Sequence, residues 1–384
     1  MNFISLGSTT KIKTGKLDAN ANNPNGLYPF FTCSKDTLRI DSYSYDCECV
    51  LVAGNGDLNV KHYKGKFDAY QRTYIIESLD TTKLNVRYLY YFLEFYVARL
   101  RELAIGGVIK YIKLGHLTEA KIPLRSLYEQ KRIVSILDLA TSLVKKRKAQ
   151  IEALDQLTQS VFLEMFGDPL LNEKKWSVKP LGYFLERIDS GWSPKCNAFP
   201  ANNDEKGVLK LSAVTKGIYI PSENKALPDS SIFKAQLEVK QGDILITRKN
   251  TRELIGACVY VFKTPKFLMI PDTIYRLVFN SKEEIDRIFL WRLLNNELFR
   301  KKITSLAEGS SGSMPNISKK KLLRLEIIAP PIELQDKFAE FIMKIEEQRL
   351  KFKQSEHLLE HNFNSIIQRA FKGELFTEEK LPTA

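Results

Sequence analysis

EQKRIVSILDLATSLVKKRKAQIEALDQLTQSVFLEMF, residues 129–166, contains neither glycine nor proline. Its apolar residues recur at steps of three and four, with one skipped turn on either side of Ile151, and are Ile133, Leu137, Ala140, Val144, Ile151, Leu154, Val161 and Met165. This spacing predicts one apolar stripe along an α-helix, close to a coiled-coil heptad. At 1.5 Å per residue the helix would be about 57 Å long. A stripe of that length needs an equally long partner.

A partner lies 205 positions later in the same chain, in the segment LQDKFAEFIMKIEEQRLKFKQSEHLLEHNFNSIIQRAF at 334–371. At this offset six pairs are identical: Gln130/Gln335, Lys146/Lys351, Lys148/Lys353, Leu154/Leu359, Ser160/Ser365 and Phe166/Phe371. The stripe is kept at both ends and interrupted in the middle, where Val144 corresponds to Arg349 and Ile151 to Glu356. The shared register predicts an internal duplication.

The duplication extends into the regions that precede the two helices. Each region contains a Leu-Gly start (6–7; 181–182), two strand-like runs (CVLVAG 49–54 and RTYIIE 72–77; DILITR 243–248 and TIYRLVF 273–279), an aromatic helix (86–103; 285–306) and a glycine loop (within 104–117; within 307–322). Only five residues precede the first Leu-Gly, so the first region's lead-in strand is expected to be incomplete or to be completed by the C-terminal tail. Each half is therefore predicted to be a globular α+β domain followed by a long helix.

These patterns divide the chain into six segments. They are a first globular domain (1–121), a long helix (122–166), a linker (167–175), a second globular domain (176–328), a second long helix (329–371) and a loose tail (372–384). The predicted fold class is α+β, with two globular domains in a repeat and two long helices that pair with each other.

The charge balance favours a polyanionic partner. Lys and Arg total 58 against 45 Asp and Glu, a net charge of +13, which is typical of nucleic-acid-binding proteins without being specific to them. The five cysteines include no CxxC pair, so neither a disulfide framework nor a zinc site is indicated. The first residues have no secretory apolar core, and the most apolar run, 88–100, is too short for a membrane span. We expect a cytoplasmic protein without a membrane partner.

The order of these motifs resembles one family over essentially the whole chain: the specificity subunit (S, HsdS) of Type I restriction–modification systems. The resemblance rests on IPLRSLYEQKRIVSILD at 122–138, SVFLEMFGDP at 160–169, the glycine loops leading to YIKLGHL and NISKKKL, and the DILITR strand. It implies two target recognition domains in a pseudo-two-fold repeat, each reading one half of a split double-stranded DNA sequence. In the family these domains are separated by two long helices that form an antiparallel coiled coil. It also implies two modification subunits that bind S-adenosylmethionine and methylate adenine, and restriction subunits that translocate and cut DNA.

The sequence gives no indication of catalysis by this chain. It lacks the [N/D]PP[Y/F] tetrapeptide of amino-methyltransferases, the GxxxxGK[ST] phosphate loop and the GxSxG nucleophile motif. No cofactor is therefore expected on this chain, and no catalytic or metal-binding residue is assigned. One alternative is a metal-dependent hydrolase, because His357, Glu360 and His361 match HxxEH; the solvated surface of a helix explains the same residues.

DNA contact requires cations and hydroxyls for phosphates, and Arg, Lys, Asn, Gln and Ser/Thr for base edges. Glycine loops let the backbone approach closely. In the first domain the candidates are Lys11, Lys13, Lys16, Asn55, Asn59, Lys61, Tyr70, Gln71, Arg72 and Lys110. In the second they are Trp192, Ser193, Lys195, Lys216, Thr247, Arg248, Lys249, Asn250, Arg252, Ser310, Ser311 and Ser313.

TRKNTR at 247–252 is the strongest local signal, because it places three cations beside hydroxyl and amide groups just past a strand. A solvated hairpin tip would have the same composition. The run Lys145–Lys148 could contact spacer phosphates or simply be a solvated helix face. Besides the hydrolase, two alternatives stay open: a coiled-coil scaffold that binds only proteins, and a bipartite DNA reader from another defence system.

Overall fold

The structure, a computed structural model, describes residues 2–202, 204–228, 231–282, 284–308 and 314–376. The chain forms two compact units. Unit 1 comprises Met1–Gln150 and Phe352–Ala384, and unit 2 comprises Ile151–Lys351. Among the described residues, no helix is long and apolar enough to cross a membrane.

The first half of the chain follows the predicted order. Its elements are β1 Asn2–Ser5, α1 Leu6–Thr9, β2 Thr10–Thr14, β3 Tyr28–Phe31, β4 Leu38–Ile40, β5 Tyr45–Ala53, β6 Val60–Ala69, β7 Thr73–Ser78, α2 Val86–Leu103, α3 Leu114–Thr118, β8 Lys121–Leu124 and α4 Leu127–Phe166. The aromatic helix has the predicted bounds. α4 begins two residues before the periodic stretch at 129–166, but residues 122–124 of the segment assigned to the long helix lie in β8.

The second half repeats this order with additions. Its elements are β9 Ser177–Pro180, β10 Leu185–Ser190, β11 Gly207–Leu209, α5 Ser212–Thr215, β12 Asn224–Ala226, β13 Ile244–Thr247, β14 Cys258–Tyr260, β15 Leu268–Met269, β16 Ile274–Phe279, α6 Arg287–Asn295, α7 Glu297–Ser305, α8 Lys319–Leu323, β17 Glu326–Ala329 and α9 Ile332–Lys372. The single aromatic helix predicted at 285–306 is wrong. It breaks at Asn296, whose side chain accepts the backbone N–H groups of Leu298 and Phe299 and so begins a new helix.

Unit 1 is built on a six-stranded sheet of order β2-β7-β5-β6-β3-β4. One face of this sheet and the apolar side of α2 share a core with α4 and α9. The end of α9 enters through Phe371, whose ring lies 5.6 Å from Phe92 and 5.7 Å from Phe95. Leu375 and Phe376 also pack against this core. The start of the tail is therefore packed, contrary to the prediction that it is loose, and residues 377–384 lie outside the described residues.

Unit 2 has a four-stranded sheet of order β10-β16-β13-β14 and a three-stranded sheet of order β12-β11-β15. Its largest core joins the first sheet, α6 and α7 to the end of α4 and the start of α9. Phe166 is central, with its ring 4.7 Å from Phe289 and 5.2 Å from Phe338. Phe166 and Phe371, identical at the 205-residue offset, thus have the same role in their respective units.

The two long helices pair antiparallel within each unit. In unit 1, Lys148 of α4 contacts Glu360 of α9 at 2.7 Å, and the Arg147 guanidinium lies 4.5 Å from the centre of the Phe352 ring. In unit 2, Asp155 of α4 contacts Arg349 of α9 at 2.5 Å. The predicted α+β class and antiparallel coiled coil are confirmed.

The mid-stripe interruption at Arg349 is a buried charge cluster. Arg349 is 5% exposed. Besides Asp155 it contacts Glu346 at 3.2 Å, and Glu346 also pairs with Arg292 of α6. The carboxylate of Glu346 therefore pairs with two guanidinium groups, and the buried Nε of Arg292 is left without a hydrogen-bond partner among the described residues.

A short lead-in strand is present in both halves. β1 pairs antiparallel with β8, and β9 pairs antiparallel with β17. The expectation of an incomplete first lead-in strand was wrong, because four residues suffice to pair with β8. Each half therefore closes its domain just before its long helix begins.

Candidate nucleic-acid interface

Three strand ends meet at one edge of the unit 1 sheet. β2 and β5 both run antiparallel to β7, with Thr14 opposite Tyr74 and Ala53 opposite Thr73. The residues just beyond these strands are consequently neighbours. The backbone N–H of Gly54 donates to the carbonyl of Arg72 at 2.8 Å. This arrangement brings Lys16, Asn55, Gln71 and Arg72 to the same edge.

The first glycine loop is attached to this edge. Ile105 and Tyr111 exchange two backbone hydrogen bonds of 3.0 and 2.9 Å, which closes the base of the loop. The Gly56 N–H donates to the Lys110 carbonyl at 2.9 Å. Lys110 therefore joins the residues at the strand ends.

A repeated glycine lets the chain pass close to a neighbouring strand at each edge. A Cβ on Gly15 would lie 2.1 Å from the carbonyl oxygen of Ala69, and one on Gly191 would lie 2.2 Å from that of Ile270. No other residue fits such contacts with backbone atoms. These glycines lie between the first strand of each sheet and the candidate residues Lys16 and Trp192.

The exposed candidates in unit 1 are Lys11, Lys16, Gln71, Arg72 and Lys110, and the half-buried ones are Lys13, Asn55, Asn59, Lys61 and Tyr70. Lys11 lies opposite Glu77, towards the other end of β7. The structure therefore does not bring Lys11 to the edge where the other exposed candidates meet.

Three half-buried candidates in unit 1 already have internal partners. Lys13 contacts Glu77 at 2.7 Å; burial lowers the pKa of Lys13, but the hydrogen bond and charge of Glu77 outweigh burial and raise it. Lys61 donates to the carbonyl of Ser34, and burial lowers its pKa. Asn59 donates to the carbonyl of Cys33 at 2.9 Å. These three side chains are therefore held by contacts within the domain.

Unit 2 repeats the edge with different side chains. The Arg248 N–H donates to the carbonyl of Thr273 at 2.9 Å, and the Arg248 carbonyl accepts from Ile317 at 2.8 Å. The same two contacts occur in unit 1 between Gly54 and Arg72 and between Gly54 and Ile112. The Arg248 side chain therefore projects from the position that glycine occupies in unit 1.

The Arg248 guanidinium is held by its neighbours. Its Nε donates to Oδ1 of Asn316 at 3.2 Å, and its centre lies 5.2 Å from the centre of the Tyr275 ring. Lys249 forms a backbone bridge to Asn316. The second glycine loop is thus tied to the strand end through Asn316, as the first is through Tyr111.

Other candidates in unit 2 lie near this edge or on loops around it. Trp192 packs against an apolar core, with the Lys234 ammonium 4.1 Å from the centre of its ring. Ser193 donates to Asp272. Lys195, Lys216 and Arg252 are exposed.

Two candidates in unit 2 are buried and form hydrogen bonds within the domain. Thr247 is fully buried, and its hydroxyl donates to the Leu254 carbonyl and accepts the Ala257 N–H. Asn250 is 6% exposed, and its side chain bonds Thr251 and Thr215. Both shape the loop and are not available to a ligand. Ser310, Ser311 and Ser313 lie outside the described residues.

Sequence reasoning missed three residues at these edges: Tyr111, Asn316 and Lys319. The Lys319 ammonium donates to the carbonyl of Ile188 and lies 5.7 Å from the centre of the Tyr275 ring. Tyr111 and Asn316 occupy matching positions before the Ile112/Ile317 pair of the repeat, a signal that could have identified them.

The three residues of the HxxEH match on α9 have different surroundings in the structure. Glu360 pairs with Lys148, whereas His357 and His361 are exposed. Within the described ranges, no group of three or more His, Cys, Asp or Glu side chains is placed to hold a metal. In the neighbouring basic run, Arg147 and Lys148 contact α9, and Lys145 and Lys146 are exposed.

A family model described as the Type I restriction modification DNA specificity domain matches residues 1–153 and 173–360. The chain belongs to this family. The match covers both halves of the repeat, so the Type I restriction–modification specificity family accounts for the duplication found in the sequence.

Curated relatives agree with this assignment. The EcoDI specificity subunit of Escherichia coli is 40% identical over 97% of this chain and 88% of its own length. The MjaVIII specificity subunit of Methanocaldococcus jannaschii is 28% identical over 80% of this chain and 75% of its own. The crystal structure of the S subunit from M. genitalium covers 96% of both chains with a TM-score of 0.63 and 17% identity. That last similarity supports the fold of this specificity-family member.

Proposed function

We propose that this chain is the non-catalytic subunit that selects the DNA sequence for a Type I restriction–modification complex. Each target recognition domain binds one half of a split site in double-stranded DNA. The observation that carries this proposal is the repeated edge, where strand ends and a glycine loop present different polar and cationic side chains in the two units. A shared scaffold with different edge residues is what two unlike half-sites require.

The side chains at the edges suit readout in the major groove. Arginine can donate two hydrogen bonds to guanine, and asparagine and glutamine can bond adenine. Arg248, Arg72, Gln71 and Asn55 supply these groups. Lys16, Lys110 and Lys249 are suited to phosphates, whose contacts fix position but carry little sequence information.

We propose that the long helices fix the spacing of the half-sites and dock partner subunits. Exposed apolar side chains recur on both helices, namely Leu139, Leu143, Leu157, Leu163, Met343, Leu350 and Leu358. Leu139 and Leu143 lie four residues apart and are therefore neighbours on one face of α4, and neighbouring exposed apolar residues can form the contiguous patch that marks a protein interface. The partners are two modification subunits, which carry S-adenosylmethionine and methylate adenine, and restriction subunits that translocate and cut DNA. The chain itself needs no cofactor and acts in the cytoplasm.

Mapping methylated adenines in cells with and without this gene tests the proposal. We expect one split motif that is methylated only when the gene is present. Exchanging residues 1–121 for those of a relative should change one half of the motif and leave the other unchanged. An exchange that alters both halves would contradict the assignment of one domain to each half-site.

Binding by the purified chain provides a second test. Because neutralised phosphates release counterions, affinity for duplex DNA should fall steeply as salt rises. Binding that is absent or insensitive to salt would favour a scaffold that binds only proteins. Salt-sensitive binding to a split site without methylated adenine would favour a reader from another defence system.

A further inference from the structure

The tip of the first glycine loop carries exposed aliphatic side chains. Val108 is fully exposed and Ile109 is 63% exposed. The tip lies beyond the closed Ile105–Tyr111 base, so these side chains project from a hairpin with a hydrogen-bonded stem. Two β-branched side chains in water at a hairpin tip contribute nothing to the core of the domain.

The backbone of the loop favours a narrow hairpin. Gly106 has a φ of +115°, which other residues rarely adopt, and a Cβ there would lie 2.7 Å from the carbonyl of Ile109. A Cβ on Gly107 would meet nothing within 4 Å. The glycines therefore keep the stem thin on the side next to Val108. The major groove of DNA admits a two-stranded ribbon, so it also has room for the tip of a loop that is closed by one pair of residues.

The surroundings of the tip are polar and cationic. Lys110 is exposed beside it, and Arg72 and Lys16 are exposed at the strand ends to which the loop is tied. The nearby carboxylate of Asp57 is paired with Lys35 at 3.0 Å. An aliphatic tip within a cationic edge matches a surface that has apolar groups between phosphates.

We propose that Val108 and Ile109 contact the C5-methyl groups of thymine in the first half-site. This inference rests on the proposed function and adds a substrate feature to it. In the major groove the thymine methyl is the apolar group on the base edges, and aliphatic side chains recognise it by excluding water. Burying one methyl group is worth about a fourfold change in affinity.

Replacing thymine by uracil tests the contact, because only the methyl group is removed. The full-length chain would first select its site from a pool of random duplexes. Each thymine of the selected duplex would then be replaced by uracil in turn. For the unaltered chain, we expect uracil to weaken binding about fourfold at one or two positions. The Val108→Ala/Ile109→Ala variant should bind the thymine and uracil duplexes equally at those positions.

Leu79→Ala is the matched control. Leu79 is also exposed, but it follows the opposite end of β7. This variant should keep the preference for thymine, and circular dichroism should show that both variants fold. The inference is overturned if the selected site lacks thymine, if uracil has no effect, or if the tip variant keeps the preference. It is also overturned if the tip variant loses only its affinity for a modification subunit. No sequence-specific binding by the unaltered chain would overturn the proposed function as well.

Discussion

Among the candidate side chains that the structure describes, Arg248 has a guanidinium group that is restrained by its neighbours. Asn316 and Tyr275 restrain its guanidinium, and its backbone is bonded on both sides by the strand end and the glycine loop. A restrained guanidinium loses less conformational entropy on binding than a free lysine does. We therefore propose that Arg248 contributes to specificity in the second half-site.

We predict that Arg248→Ala weakens binding to the cognate site by about 1–3 kcal/mol and relaxes the base preference at one position. Arg248→Lys should recover little, because it lacks the planar fork. Anisotropy titrations against duplexes with every base at each position measure both effects.

Arg287→Ala is the control for Arg248. The Arg287 guanidinium lies 5.0 Å from the centre of the Phe279 ring, at the other end of β16. Its removal should leave the base preference unchanged. Equal losses in the two variants would mean that Arg248 acts only through general charge.

The sequence predicted where the candidate edge lies. It did not predict which side chains at that edge already have partners within the domain. Thr247 and Asn250 of TRKNTR were predicted to contact DNA, yet both bond the loop itself. Lys13 was predicted to contact DNA because it is a cation, and Glu77 is its partner from the neighbouring strand. Each of these partners is set by tertiary structure, which local sequence does not encode.

A buried glutamine anchors each long helix to its domain. Gln335 is fully buried; its amide oxygen accepts from the Asp286 N–H at 2.9 Å and its amide nitrogen donates to the Pro330 carbonyl at 2.8 Å. Gln130 makes the matching bonds to Asn85 and Arg125. The identity of this pair was visible in the sequence. The role of the pair was not visible, because each glutamine bonds the start of an aromatic helix that lies about 45 residues earlier in the chain.

We predict that Gln335→Ala destabilises unit 2 by about 2–4 kcal/mol, because it leaves buried backbone groups without partners. All three tryptophans, Trp176, Trp192 and Trp291, belong to unit 2. Urea unfolding followed by tryptophan fluorescence therefore reports on that unit. Gln348→Ala, on an exposed position of α9, should change stability by less than about 0.5 kcal/mol. A similarly small change in stability for Gln335→Ala would show that Gln335 does not anchor α9.

The charge cluster around Arg349 explains why the apolar stripe stops mid-helix. Heptad periodicity predicted the long helices well, since an apolar stripe of this length is compatible with few structures other than a long helix. The polar interruption looked like a defect of the repeat. In the structure it pairs charges between α4, α6 and α9.

We predict that Arg349→Met lowers the stability of unit 2 by about 3 kcal/mol, because Glu346 stays buried with one partner fewer. Lys351→Met is the matched control: Lys351 also pairs on α9, with Glu347 at 2.7 Å, but both side chains are exposed. The Lys351→Met variant should lose less than about 1 kcal/mol of unfolding free energy. A gain in stability for Arg349→Met would show that the cluster costs more than it contributes.

At the scale of the whole molecule, the duplication accounts for the fold. It also accounts for the proposal that each domain binds one half-site. Strand order, glycine loops and helix anchors recur, whereas the edge side chains differ. The repeat could be detected because aligned positions such as Ile112/Ile317 are buried in both units. The recognised bases could not be predicted, because they depend on loop conformation and on DNA shape.

We predict that removing one heptad from 137–165 together with the matching heptad from 342–370 shortens the preferred spacer by about three base pairs. A heptad of helix is about 10 Å long, and base pairs are about 3.4 Å apart. Removing a heptad from one helix alone should impair pairing and folding. Methylome mapping measures the spacer. Altered half-site bases with an unchanged spacer would contradict the idea that the helices set the spacing.

The antiparallel pairing also fixes the order in which the protein can be completed on the ribosome. Unit 2 is one continuous stretch of chain, whereas unit 1 combines residues near both termini. The aromatic helix at 86–103 is synthesised before unit 2, yet Phe371, which packs against it, is synthesised only after the whole of unit 2. At about 5–20 residues per second, that gap of more than 250 residues takes on the order of 15–60 s. The domain that is translated first is thus completed last, and the nascent chain must protect an apolar helix face throughout that interval.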